Sequence, residues 1–513
     1  MRTATTQAIA LLGVDGHLVE VEADISDGLP GLALVGLPDT ALSEARDRVR
    51  AAVKNSGLTW PQGRMTLNLT PAALPKRGAC FDLACAAAIL AANGLDLDAQ
   101  LLRRSVLVGE LGLDGRVRPG VGVLPAVLAA RRAGFDRVIV PRANAAEARL
   151  VAGLRVTGVT SLNELVSHLR GQPVQEDLDP TAPEEQDVRE PPDLADVMGQ
   201  PEARWAMEVA AAGGHHVFLK GPPGAGKTML AERLPGILPP LAPEEALEVS
   251  AIHSIVGRLV GGRLITTPPF QVAHHTASAT ALVGGGSSTI KPGLVSLAHR
   301  GVLFLDEAPE FKRDALEALR QPMGDETIVI ARSSAQQSFP CSFQLVMAAN
   351  PCPCAAAGGV DAECTCGPAE RRRYRAKLSG PLLDRVDLQL EVRAVTTGDL
   401  MMERAPGECS AAVAGRVRDA RARMARRFVG TPWRRNADVP APELKRRWPL
   451  GFHVLRQAYL NVDRGRLTAR GFDRTVGVAW TIADLRGLDS PGADEVDDAL
   501  RLRGLHLPER AAA

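Results

Sequence analysis

The stretch that most restricts what this 513-residue chain can fold into is GPPGAGKT, Gly221 to Thr228. It follows the apolar run His216 to Lys220 and opens the helical stretch MLAERL. A glycine-rich turn between strand and helix lets backbone N–H groups curl around an anion, and the helix N-terminus adds partial positive charge. The pattern GxxxxGK[ST] in that setting predicts an α/β fold whose phosphate loop is Gly221, Pro222, Pro223, Gly224, Ala225, Gly226, Lys227 and Thr228. Lys227 is expected to reach the β- and γ-phosphates of ATP, and Thr228 to hold magnesium.

About eighty residues on, GVLFLDEAPEF ends an apolar strand in two carboxylates. Asp306 suits the outer shell of the magnesium, and Glu307 is placed to orient and deprotonate an attacking water. A third apolar strand, FQLVMAAN, ends in Asn350, a polar residue where the sheet edge faces the γ-phosphate; in AAA+ proteins this is the sensor position. In LSGPLLDRVDL, Arg385 follows a helical turn and suits the γ-phosphate of a neighbouring subunit, where a guanidinium stabilises transition-state charge. The alternative is a surface pair with Asp384 or Asp387. In LTARGFDR, Arg470 is expected to act as a sensor arginine in cis, ahead of Arg474.

Length and composition bound the rest. A chain this long exceeds one hydrophobic core, so two to four domains are expected. With 45% hydrophobic and 23% charged residues it is ordinary for a soluble protein, and a net charge of +1 leaves any nucleic-acid binding to a local patch. The N-terminus fits neither a signal peptide nor a spanning helix, and no stretch reaches about 18 uninterrupted apolar residues. The expected location is the cytoplasm, with no membrane partner.

Residues 1–170 alternate β-like runs (His17 to Ala23, Met65 to Leu69, Val106 to Gly109, Arg137 to Pro141) with Ala-rich helical runs (Thr40 to Asn55, Phe81 to Asn93, Leu124 to Ala133). An acidic, Pro-rich linker follows over 171–193. Strand and helix alternate over 194–400, and 401–513 is helical in pattern.

The runs AHHTASATALVGGG, KPGLVSLAHRGVLFLDEAPEF, NPCPCA and RYRAKLSGPLLDRVDL together resemble the magnesium-chelatase-like AAA+ ATPases of the YifB/ComM family. The resemblance extends over nearly the whole chain, including GLPGLALVGLPDTALSEARDRVRAA and TARGFDRTVGVAWTIADL. It implies a P-loop AAA+ core with a helical C-terminal lid, assembled as a hexameric ring that uses ATP to drive branch migration or unwinding of DNA during natural transformation. It also implies two pore-facing elements, an insert at about 252–292 and a hairpin at about 326–339. The N-terminal domain resembles the peptidase-like domain of Lon protease, in the architecture shared with ribosomal protein S5 (domain 2-like). That protease uses a Ser nucleophile and a Lys base; here KRGACFDLA puts Cys80 at or beside the nucleophile and Leu124 stands where the lysine should. The domain is therefore expected to be non-catalytic, an assembly or DNA-guiding collar. Two competing activities stay open: an ATP-driven protein-remodelling or metal-loading chaperone of magnesium-chelatase type, and, less favoured, an ATP-dependent peptidase.

Four of the eight cysteines crowd into fifteen positions, Cys352-Pro-Cys354 and Cys364-Thr-Cys366, joined by AAAGGVDAE. Four thiolates on one hairpin fit a tetrahedral structural zinc. The CxC spacing departs from the usual CxxC, which leaves an iron–sulfur centre or four small buried side chains as alternatives. Directly after them, ERRRYRAK interleaves Tyr374 with cations and is expected to contact DNA phosphates and stack on a base. A second run puts Arg416, Arg423 and Arg427 on one helical face, a lesser DNA candidate. His215, His216, His274 and His275 have no metal-ligand spacing and are expected to be structural.

Overall fold

The computed structural model describes residues 3–29, 31–35, 39–76, 78–173, 191–259, 261–286, 290–332, 335–354, 364–394 and 407–505. Most of the linker expected at 171–193, the AAAGGVDAE loop and the 400/401 boundary lie outside these residues.

Two sheets organise the chain. The first contains β1 (Thr3–Leu12), β2 (Asp15–Ser26), β3 (Gly31–Val35), β4 (Arg64–Thr70), β5 (Ser105–Leu107), β6 (Arg137–Pro141) and β7 (Arg155–Val159), in the order β3-β4-β2-β1-β5-β6-β7. β1, β2 and β4 pair antiparallel, whereas β5, β6 and β7 extend the sheet in parallel from β1. Helices Asp39–Asn55 and Asp82–Ala92 belong to this layer, and the second is buried on nearly every side chain because alanine lets it lie against β1 and β2. Strand β1 lies in the middle of this sheet, paired with β2 on one side and β5 on the other.

The second sheet is fully parallel, with β8 (Val217–Lys220), β9 (Phe270–Ala273), β10 (Val302–Leu305), β11 (Gln344–Ala349) and β12 (Leu388–Glu391) in the order β9-β10-β11-β8-β12. Strands VLFL and QLVMAA are buried at every residue, since a parallel sheet is covered on both faces. Helices Pro201–Gly213 and Lys227–Ile237 share one hydrophobic core with the C-terminal helices Ser410–Arg427, Phe452–Asp463, Ala469–Arg486 and Ala493–Leu502. Lid and ATPase core are therefore one packed body on that side.

The insert expected at about 252–292 is two excursions rather than one, because its middle is β9, the edge strand of the core sheet. The hairpin Thr327–Arg332 with Ala335–Pro340 forms as expected. The N-terminal domain is docked on the core. Ala251 joins its hydrophobic cluster, Gly122 N–H donates to Ser254 O at 3.1 Å, and Ser254 Oγ donates to Glu147 Oε1 at 2.5 Å. Gly13, in the β1–β2 turn at φ +67°, sits so close to the hairpin that a Cβ there would lie 2.6 Å from Ser338 O.

Candidate nucleotide site

Parallel strands end together, and this sheet collects its polar residues at its carboxyl rim. Lys220 pairs with Ala349, Leu305 with Met347 and Ala273 with Leu305, so Gly221 and Asn350 emerge at one level, and Asp306 and His274 emerge together two residues short of it on the same rim. Gly224 and Gly226 take φ of +74° and +86°, which turns the loop into the helix that starts at Lys227; a Cβ on either would meet nothing within 4 Å, so the cradle is open. Lys227 Nζ donates to Gly221 O at 2.7 Å, Pro222 O at 2.8 Å and Asn350 Oδ1 at 3.1 Å. Burial pulls its pKa down while Asp306 and Glu307 oppose that shift. Thr228 Oγ1 donates to Asp306 Oδ2 at 3.2 Å, and the other Asp306 oxygen accepts Glu307 N–H at 2.9 Å. Glu307 itself adopts φ +51°, which aims its side chain off the strand axis.

One participant escaped the sequence reading. His275 Nδ1 lies 3.2 Å from Glu307 Oε2, because the register that pairs Ala273 with Leu305 puts His275 level with Glu307. His215 and His216 are structural as expected: His216 Nδ1 accepts Leu345 N–H at 3.0 Å, with its pKa pushed down to about 4 by burial, and His215 Nε2 lies 2.7 Å from Thr481 Oγ1, whereas His274 is exposed.

The arginines sit elsewhere. Arg385 NH1 donates to Pro381 O at 3.0 Å and forms no ion pair with a described carboxylate; burial and the neighbouring charges of Arg470, Arg320 and Arg474 pull its pKa down. Arg470 is exposed, and it lines a cavity of about 380 Å³ with His215, Asp387 and Arg474. These groups gather at the amino rim of β8 and β12, where Asp387 N–H donates to His216 O. Four residues of strand at about 3.3 Å each put that rim roughly 13 Å from the phosphate loop. Arg470 therefore lies with Arg385 and away from Lys227 of its own chain, which departs from the cis role expected for it. Asp387 is taken by Arg474 at 3.2 Å, so the alternative surface pair of Arg385 with Asp387 is not formed.

The cysteines converge. Their four Sγ atoms all lie within 4.8 Å of one another, with Cys352 3.2 Å from Cys354 and 3.3 Å from Cys364, and Cys354 3.4 Å from Cys364. All four are free thiols. Zinc–sulfur bonds of about 2.3 Å imply sulfur–sulfur edges of roughly 3.8 Å, so the set needs only a small expansion to enclose a metal.

Two DNA-contact expectations need correction. Tyr374 is 4% exposed and points into the protein, so it is no stacking platform, although Arg372, Arg373 and Arg375 beside it are exposed. Arg416, Arg423 and Arg427 face the fold: Arg416 grips Glu208 at 2.6 Å, Arg423 donates to Asp484 O at 2.8 Å, and Arg427 donates to Asp484 Oδ1 at 2.7 Å. The same helical spacing that lines them up also turns them toward their neighbours. In the N-terminal domain, Cys80 donates to Ile9 O and burial pushes its thiol up to about 12, while Leu124 is fully buried. Leu124 carries no basic group, so it gives Cys80 no partner of the kind a Ser–Lys pair provides.

A parallel sheet with a glycine-rich loop, lysine, threonine, aspartate and glutamate converging at its carboxyl rim defines a P-loop ATPase fold of the AAA+ type. The description "Magnesium chelatase, subunit ChlI" matches residues 193–400, "Subunit ChlI of Mg-chelatase" matches 21–144, and "Magnesium chelatase, subunit ChlI C-terminal" matches 407–503. An uncharacterized protein of Mycobacterium tuberculosis is 52% identical over 97% of both chains, YifB of Salmonella typhimurium 41% over 98% of both, and competence protein ComM of Haemophilus influenzae 39% over 98% of both. A partial likeness, 32% over 26% of this chain, links it to Lon protease of Mycolicibacterium smegmatis, of which it covers 18%. The chain belongs to the magnesium-chelatase-like YifB/ComM family of AAA+ proteins.

Membership implies ATP hydrolysis with Mg2+, and the residues fit both. The open glycine turn and Lys227 suit the phosphates, and the facing oxygens of Thr228 and Asp306 are hard donors of the kind magnesium takes. Bound there, the ion would neutralise phosphate charge.

Proposed function

We propose that this protein is a homo-oligomeric ring, a hexamer, that hydrolyses ATP to translocate on or remodel single-stranded or branched DNA in the cytoplasm. The observation that carries the ring is the division of the catalytic set. Lys227, Thr228, Asp306, Glu307 and Asn350 occupy one rim of the sheet, whereas Arg385 and Arg470 occupy the other. A neighbour must bring those guanidiniums to the nucleotide, which makes hydrolysis depend on assembly. In this reading Lys227 holds the β- and γ-phosphates, Thr228 and Asp306 the magnesium, Glu307 activates water, Asn350 senses the γ-phosphate, and Arg385 and Arg470 act in trans.

Support for DNA comes from the exposed Arg372, Arg373 and Arg375 and from the full-length likeness to a protein named for competence. The collected thiols of Cys352, Cys354, Cys364 and Cys366 support one structural zinc per chain. A metal-loading or protein-remodelling chaperone is the second reading, favoured by the ChlI descriptions that match all three segments.

ATP turnover measured with and without forked or four-way-junction DNA separates the two, with Glu307→Gln as the hydrolysis-dead control. The expected result is strong stimulation by DNA that vanishes in Glu307→Gln. Turnover indifferent to every DNA tested would reject the DNA motor in favour of the chaperone.

A further inference from the structure

The helical lid carries a column of aromatic rings capped at one end only. Buried Phe472 lies under Tyr459 with ring centres 5.0 Å apart, and Tyr459 lies against Phe452 with centres 5.5 Å apart and planes 18° apart. Lys445 Nζ caps the inner end, 5.3 Å from the centre of the Phe472 ring, and is held there by Asp473 at 2.5 Å. The outer end is Phe452, which opens the helix Phe452–Asp463 and is 71% exposed, with Tyr459 beside it 39% exposed. Two stacked rings standing in water are more than a scattered apolar residue and mark a surface that meets something else.

The charge around the column is one-sided. Between Phe452 and Arg470 the sequence holds four arginines, Arg456, Arg464, Arg466 and Arg470, against Asp463 alone, in a chain whose net charge is only +1. Residues four and seven apart on a helix come back into line, so Arg456 stands on the face that bears Phe452 and Tyr459. Arg464 and Arg466 lie in the turn that ends this helix, on either side of Gly465 at φ +66°. Arg456, Arg464 and Arg466 are exposed and form no ion pair with a described carboxylate. The arginines that fasten the lid are engaged instead, Arg427 with Asp484, Arg474 with Asp387 and Arg486 with Glu495. Arg470 also belongs elsewhere. It lines the amino-rim cavity with Arg474 and Gly477, and two residues along a helix turn a side chain to the opposite side, so Phe472 and the column face away from it.

We propose that this face of the lid is a stacking platform for single-stranded nucleic acid: an unpaired base lies on the outer face of Phe452 and continues the column, while Arg456, Arg464 and Arg466 take the flanking phosphates. The platform rests on the DNA reading above, and it supplies the aromatic contact that buried Tyr374 does not. Every base has a π face, so such a platform takes unpaired strands with little regard to sequence. Phe452 is already stacked on Tyr459, so it loses little rotamer freedom when a base arrives. The unpaired cations favour a polyanion over a second copy of this chain, whose net charge of +1 brings no matching excess of carboxylates.

The test uses the full-length chain with Mg2+ and a non-hydrolysable ATP analogue. Fluorescence anisotropy follows binding of a labelled oligothymidylate and of an abasic strand of the same length and charge, and sedimentation velocity follows the oligomeric state. Phe452→Ala is expected to weaken oligothymidylate binding about tenfold, to leave abasic-strand binding within about twofold, and to keep the slope of log K against log salt. Phe452→Trp should bind oligothymidylate at least as tightly as wild type. The triple variant Arg456→Ala/Arg464→Ala/Arg466→Ala should lower that slope by about 2 for both strands, since each single-strand phosphate contact contributes about 0.7. Wild type that binds neither strand rejects the DNA reading and the platform with it. Wild type that binds while Phe452→Ala binds equally well overturns the platform alone, as does a loss in Phe452→Ala that is the same for both strands. A change of oligomeric state in Phe452→Ala makes this face a contact between copies and also overturns it.

Discussion

Asp387→Asn tests how the lid is fastened to the core. The carboxylate is 2% exposed; Oδ2 accepts His216 N–H at 2.9 Å, Oδ1 faces Arg474 NH1 at 3.2 Å, and His215 Nδ1 lies 3.8 Å away. Burial alone would raise its pKa, but Arg474 and the two histidines outweigh it and hold the group well below the usual carboxylate range. Asparagine keeps the shape and loses the charge, and its amide can accept on one side only, which turns an N–H toward a donor. Removing one partner of a buried pair costs about 3–5 kcal/mol, and because Arg474 is 28% exposed we expect the low end, about 3. At roughly 2–4 °C per kcal/mol, the midpoint of the lid transition, followed by the fluorescence of Trp433, Trp448 and Trp480, should fall by about 6–12 °C. The double variant Asp387→Asn/Arg474→Met should recover about half of that, since it removes the stranded cation. Because the folded pKa lies below the unfolded value, the stabilisation is present above about pH 4 and is lost as pH falls below it, so wild type should show an acid loss of stability that Asp387→Asn lacks. A midpoint within 2 °C of wild type, or a double variant no better than the single one, refutes the assignment of this knot as the lid's fastening.

Further outcomes follow from the site. His275→Ala should change kcat by at least about threefold with KM for ATP nearly constant, and His275→Asn, which can still hydrogen-bond Glu307, should recover part of it; steady-state ATPase assays decide this. Replacing Arg372, Arg373 and Arg375 with alanine should lower the slope of log K against log salt for DNA by roughly 2–3, read by fluorescence anisotropy, whereas Arg427→Ala should lower the thermal midpoint and leave that slope alone. Cys80, whose thiol stays protonated up to about pH 12, should resist iodoacetamide at pH 8 while exposed Cys409 is alkylated, as peptide mass mapping will report.

The groups legible in the sequence are those announced locally. Lys227, Thr228, Asp306, Glu307 and Asn350 each stand where an apolar strand gives way to polarity, and the parallel register brings them together without further information. His275 was illegible because its role depends on that register: nothing in AHHTA tells which residue of β10 it will face. Strand β9 was hidden for a related reason, since FQVA is short, follows two prolines and lies on the sheet edge. Tyr374 and Arg416, Arg423 and Arg427 were misjudged for the opposite reason. Composition identifies a cationic helix, but only its neighbours decide which face is wet, and Glu208 and Asp484 were too distant in sequence to be seen as those neighbours. Arg470 was placed in cis by analogy, whereas the packing of its helix beside Asp387 sets it at the far rim.

The contact of Glu147, Gly122 and Ala251 across the domain boundary has a mechanical meaning. Helix Pro243–Ile255 of the core meets the N-terminal domain directly, through Ala251 and Ser254. Cutting the chain at a protease site placed between residues 174 and 190 should leave two fragments that migrate together in gel filtration. Any swing of that helix would then be delivered to the N-terminal domain directly, as by a rigid lever.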